Sequence, residues 1–194
     1  MNQIEIVKDW NKLPFRDLFE EEIQQQAVDS GYINLRNLQV SSLSIPSRFT
    51  IKSLHLCEKN YKTEIKTFLQ ELKLSNGILT AVFEALINAF EHGNNYDSSK
   101  GLYFAYFFNN KYLEFIICDS GGVLNLLFPS FILAIRSNKN QSLNWYDFSK
   151  VEQKRENLGF GTMFMHQYMQ DIKYFKSAYE DTQGGLFLYM RAKK

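Results

Sequence analysis

The chain is short of the residues that build stapled or membrane-bound scaffolds. Its 194 residues hold two cysteines, Cys57 and Cys118, too few and too far apart for a disulfide framework. Both read as buried thiols. No apolar run approaches the ~20 residues that cross a bilayer. No basic start followed by an apolar stretch marks a secretory leader. The sequence therefore predicts a soluble, cytoplasmic protein with no membrane partner. Neither sign of charge dominates: 22 Lys and Arg face 21 Asp and Glu, a net charge of +1. Without a basic stripe, nucleic acid is not the expected partner. The closing Lys193-Lys194 pair reads as a solvated terminus. His55, His92 and His166 show no metal-site spacing with the cysteines, and no internal repeat is visible.

Apolar and aromatic side chains are plentiful. Hydrophobic residues make up 45% of the chain, including 17 Phe and 11 Tyr. That is enough apolar area for two packed layers in one full domain. Residues 1–42 read as an extension, with a short strand at Ile4 to Val7 and an acidic helix from Phe15 to Val28. Residues 43–194 read as the main domain. Leu43 to Ile51 predicts a strand interrupted at Pro46. Residues 53–72 predict a helix with Leu54, Ile65, Phe68, Leu69 and Leu72 on its apolar stripe. A second helix follows from about Ile78 to Glu91, with Gly93 as its stop. Leu102 to Phe108 and Tyr112 to Cys118 predict a hairpin around Asn109-Asn110-Lys111. A long connection, 123–158, carries some helix near 129–136 and a flexible stretch at 137–142. Gly159-Phe160-Gly161 opens a third helix to about Gln170, and strands near 172–179 and 186–191 complete the pattern. The expected fold class is α+β, a two-layer sandwich of a mostly antiparallel sheet with helices on one face.

Three segments carry chemistry. In the second helix Glu84, Asn88 and His92 recur every four residues, flanked by Ala81, Ala85 and Ala89, which leave room for a ligand. Asn is a poor choice for a helix interior. Its amide oxygen suits a hard cation such as magnesium, and a carboxylate one turn earlier suits proton transfer. Taken alone, such a polar row is more often a solvated face. Asp119-Ser120-Gly121-Gly122 follows the apolar strand Phe115 to Cys118. The Asp can accept a hydrogen bond from an exocyclic amine, and the glycines let backbone approach a flat ring. Alone it is an ordinary turn. Gly159-Phe160-Gly161-Thr162 precedes a helix, where free N–H groups favour phosphate; a single G-x-G is weak evidence by itself.

In order and spacing the three segments together resemble the boxes of the gyrase, chaperone, histidine-kinase and mismatch-repair (GHKL) ATPases, with their Bergerat-type ATP-binding fold. Glu84, Asn88 and His92-Gly93-Asn94 resemble the N box. Asp119-Ser120-Gly121 resembles the first glycine box, Gly159 to Thr162 the second, and the stretch between them, about 123–158, the ATP lid. Within that superfamily the chain is most similar to the anti-sigma-factor serine-protein kinases. Leu43 to Ser47 resembles their opening strand and Leu79 to Ala85 the start of their N-box helix.

The resemblance implies ATP and Mg2+ as cofactors, with Asn88 on the metal and Glu84 as the base toward a partner's serine. It implies that Asp119 recognises adenine, and that His92, Gly121, Gly122, Gly159, Phe160, Gly161 and Thr162 complete the nucleotide site. The implied partner is a small regulator, anti-anti-sigma-like or sigma-factor-like. The alternatives are a catalytically silent binding module on the same fold and a histidine-kinase catalytic domain. The last is disfavoured because residues 1–42 are too short for a phosphoacceptor hairpin. Residues 1–40 stay open between a dimer contact, which would make the protein a homodimer, and an added strand and helix. The chain departs from the family at Val123, where a further glycine is usual, and at Leu186, where a threonine commonly follows the glycine. Both changes fall at the adenine end and predict weaker nucleotide binding.

Overall fold

The computed structural model describes residues 15–16, 50–119, 121, 127–137, 142–152, 158–177 and 186–194. Six strands run through them: β1 (Phe15–Arg16), β2 (Thr50–Leu54), β3 (Leu102–Phe108), β4 (Tyr112–Asp119), β5 (Asp171–Ser177) and β6 (Leu186–Lys193). Five α-helices accompany them: α1 (Tyr61–Gln70), α2 (Asn76–Asn88), α3 (Phe128–Ser137), α4 (Trp145–Ser149) and α5 (Gly161–Tyr168). A π-helical turn, Ala89–Gly93, continues α2. The strands form one sheet in the order β1-β5-β6-β4-β3-β2, antiparallel at every pairing.

Period-two alternation builds the face that the helices cover. Phe104 stands opposite Ile117, Ile117 opposite Leu188, and Leu188 opposite Tyr174. Tyr106, Phe115, Met190 and Ile172 form the next row across the same four strands. These rows share one core with Ile65 and Leu69 of α1, Val82 and Leu86 of α2, and Met165 of α5. Fully burying each such large apolar side chain contributes about 1.5–3 kcal/mol. The architecture is α+β, an antiparallel sheet with helices packed on one face, as the sequence led us to expect. No helix among the described residues is long and apolar enough to cross a membrane.

Several boundaries differ from the sequence reading. Phe15 and Arg16 do not open a helix; they form the edge strand β1 and pair with Ser177 and Lys176 of β5. Backbone pairing there outweighs local helix preference. The rest of that helix lies outside the described residues, as do Ile4 to Val7, residues 43–49, residues 138–141 and residues 178–179. The strand expected to end at Ile51 runs to Leu54, because Thr50–Leu54 pairs along Leu102 to Tyr106. Leu54 thus belongs to a strand, and the first helix starts only at Tyr61. The turn before it is closed by Asn60 and Tyr61 N–H groups donating to the Cys57 carbonyl. Cys57 lies exposed in that turn and is not the buried thiol expected, whereas Cys118 is buried. The third helix stops at Tyr168, two residues early, and the Gln170 N–H donates to the Arg191 carbonyl of the sheet at 2.8 Å.

Candidate functional site

Helices α2 and α5 lie side by side. Gly77 of α2 meets Tyr168 of α5, and Glu84 meets Gly161. The two helices are therefore antiparallel, and the Glu84 end of α2 sits at the start of α5. Ala81 and Ala85 are 0% and 1% exposed. The sequence reading expected these alanines to leave room for a ligand; in the structure they are packed over instead. Their small size lets the helix layer close up, with Ala89 buried beside them.

Along the polar row, Glu84 and Asn88 are half-buried, and His92 is exposed. Burial first, then the nearby Glu91 carboxylate, raises the Glu84 pKa above the ordinary range; Lys62 opposes the shift. The surrounding protein depresses the His92 imidazole, against the pull of Glu91. No side chain among the described residues hydrogen-bonds to the Asn88 amide. The π turn begins immediately after Asn88 and widens the helix, with the Asn94 N–H donating to the Ala89 carbonyl at 2.9 Å. Such turns recur where a helix must redirect side chains at a site. Within it Glu91 is 4% exposed and accepts a hydrogen bond from the Tyr61 hydroxyl.

The end of β4 docks on that π turn. Asp119 shares the helix-facing side of the strand with Phe115 and Ile117, and it is 1% exposed. Its carboxyl group lies against the Cα of Gly93, where a Cβ would overlap it. A Cβ on Gly121 would likewise overlap the Gly93 carbonyl. Asn94, fully buried, locks the junction. Its Oδ1 accepts from the Gly121 N–H at 2.9 Å, and its Nδ2 donates to the carbonyls of Gly101 at 3.2 Å and Lys100 at 3.3 Å.

The third segment joins from the other side. Gly159 has a φ of +71°, a left-handed conformation that suits glycine, and a Cβ there would lie 2.8 Å from Tyr146 Cδ2. Its carbonyl accepts from the Trp145 N–H at 2.9 Å. Phe160 precedes α5, Gly161 opens it against Glu84, and Thr162 is buried. The short helix α4 was not anticipated in the long connection. It is capped by the Asn144 side chain, which accepts from the Asp147 N–H at 2.8 Å. Trp145 and Phe148 pack their rings on Phe131 of α3, and Phe128 bridges to Tyr174 of the sheet. The aromatic residues of the connection thus act in packing, as their type predicts.

The structure brings Glu84 to Gly161, and Gly93 and Asn94 to Asp119 and Gly121. Asn88 lies on α2 between these two junctions. Gly122 lies outside the described residues. Sequence reasoning assigned no role to Asn94, although it stands in the motif, nor to Glu91, an acid in an apolar stretch. Tyr61 carried no signal, because its partner is far along the chain. Among the described residues no group of three His, Cys, Asp or Glu side chains could hold a metal ion. Compared with known proteins, the chain matches no family model and no curated protein, so the site is argued from its own residues.

Proposed function

We propose that the chain is an ATP-binding protein of the GHKL type on a Bergerat-type fold, with α2, the end of β4 and the start of α5 surrounding the nucleotide. Within that class we read it as a serine-protein kinase of the anti-sigma-factor kind, acting on a small regulatory partner. One observation carries the reading. Two segments distant in sequence pack on α2 and its π turn through glycines, Gly161 beside Glu84 and Gly121 beside Gly93, with Asn88 on the helix between them.

The donors fit the implied groups. The Asn88 amide offers a hard oxygen that no side chain among the described residues engages, and magnesium commonly takes few protein ligands beside water and phosphate oxygens. Asp119 is an acceptor at a strand end, suited to an exocyclic amine. The backbone at Gly159 to Thr162 suits phosphate oxygens. When bound, ATP with magnesium supplies the phosphoryl group and neutralises its charge. The residues of the chain then hold and orient. Glu84, with its raised pKa, would take the proton of a partner's serine hydroxyl as that oxygen bonds to the γ-phosphorus and the bond from phosphorus to the departing ADP oxygen breaks.

A second reading is a catalytically silent ATP-binding or protein-interaction module on the same scaffold. The near-complete burial of Asp119 favours it, as do the departures at Val123 and Leu186. Incubation with labelled ATP, magnesium and candidate regulators separates the two. A kinase transfers label, and Glu84→Gln slows transfer by ~10²–10⁴. Partner capture that depends on ATP, without any transfer, selects the silent module. Undiminished transfer by Glu84→Gln removes Glu84 from the role of base.

A further inference from the structure

The sheet has a second face, and its middle is buried without help from the helix layer. Tyr103, Ala105, Ile116, Cys118 and Tyr189 share that face across β3, β4 and β6. Ala105, Ile116 and Cys118 are 1%, 3% and 1% exposed, yet none belongs to the core that the helices share. An antiparallel sheet with one open face leaves the side chains there in contact with water. The polar side chains at the margin satisfy one another: the Tyr189 hydroxyl donates to Glu114 at 2.7 Å, and Arg191 pairs with Asp171 at 3.2 Å. The buried middle therefore needs apolar cover rather than a counter-charge. The topology names the chain that can supply it. Strands β1 and β2 lie on opposite edges of the six-stranded sheet, and residues 17–49 join them. The edges lie roughly 24 Å apart, at about 4.8 Å for each strand spacing, well within reach of that segment. The helices already occupy one face. The segment brings Leu18, Phe19, Ile23, Ile33 and Leu35.

We propose that residues 17–49 cross the sheet on the face away from the helices and cover Ala105, Ile116 and Cys118 as a third layer of the domain. The segment then belongs to the packing of its own chain and is not an arm for a second copy. The face it covers is withdrawn from partner binding, which leaves the helix side, with α2 and α5, open to a partner. The inference is independent of the nucleotide reading.

Two measurements on the full chain test this. In a Cys57→Ser background Cys118 is the single thiol. Its exchange with an aromatic disulfide should be slow. Phe19→Glu combined with Ile23→Glu should speed it roughly ten-fold or more, because the charges drive the segment off the face and expose the thiol. An unchanged rate in that combined variant overturns the proposal. Should the variant fold poorly, a second readout uses the otherwise unaltered chain, with photoactivated benzoylphenylalanine in place of Tyr103. The expected product is a single chain whose adduct maps within residues 17–49. Adducts elsewhere, or none, overturn the proposal, and a cross-linked dimer overturns it by assigning the face to a second copy.

Discussion

The carboxyl group of Asp119 rests on the Cα of Gly93, with no space between them for a methyl group. This contact joins the end of the central strand β4 to the π turn that follows α2, and so fixes Asp119 relative to the polar row. Gly93→Ala inserts a methyl into a closed junction. Overpacking of this kind costs about 1–3 kcal/mol. Urea denaturation should show that loss, and nucleotide affinity should fall as Asp119 moves. A variant as stable as wild type would show that the junction yields easily.

Asn94 is the polar key of the same junction. Asn94→Ala leaves the Gly121 N–H and the Lys100 and Gly101 carbonyls without their side-chain partner. Stranding buried polar groups costs about 1–3 kcal/mol. The variant should unfold at lower urea with an unchanged slope. Stability within error of wild type would mean that water replaces the amide.

His166 supplies a pH dependence. Burial first, and Arg136 second, push its pKa down from 6.5 to about 3, and its Nε2 lies 3.3 Å from the Tyr174 hydroxyl. Between those values the unfolded chain binds a proton that the folded protein refuses. The contribution of His166 to stability is therefore complete above pH 6.5 and is lost as pH falls toward 3. Melting temperatures from pH 7 down to pH 4 should fall less steeply for His166→Gln than for wild type. Parallel curves would contradict the assignment.

Much of this was legible in the sequence, and the rest was not for physical reasons. The hairpin announced itself by alternation and by its Asn109-Asn110-Lys111 turn, and the same alternation places Asp119 on the helix-facing side. The apolar pattern of α2 and its stop at Gly93 were equally plain. What failed depended on partners distant in sequence. Residues 53–54 belong to a strand because β3 pairs with them, and Ala81 and Ala85 are small because α5 lies close, not because a ligand does. The α4 helix, five residues long, is too short for periodicity to show. Asn94 and Glu91 look like ordinary polar residues until Gly121 and Tyr61 are seen beside them.

Trp145 offers a probe of the connection between β4 and α5, since its backbone N–H donates to the Gly159 carbonyl. Trp10→Phe leaves Trp145 as the single tryptophan. Its emission should shift on addition of magnesium and ATP as the segment rearranges over the ligand. Unchanged emission at saturating nucleotide would contradict a lid that includes α4.

The central claim is that this chain binds ATP with magnesium, and a calorimetric titration of the purified protein tests it most directly. The account predicts saturable heat with one ATP per chain, dependence on magnesium that Asn88→Ala abolishes, and a melting temperature that rises with nucleotide concentration. No heat of binding, together with a thermal transition unmoved by millimolar ATP and magnesium, would contradict it.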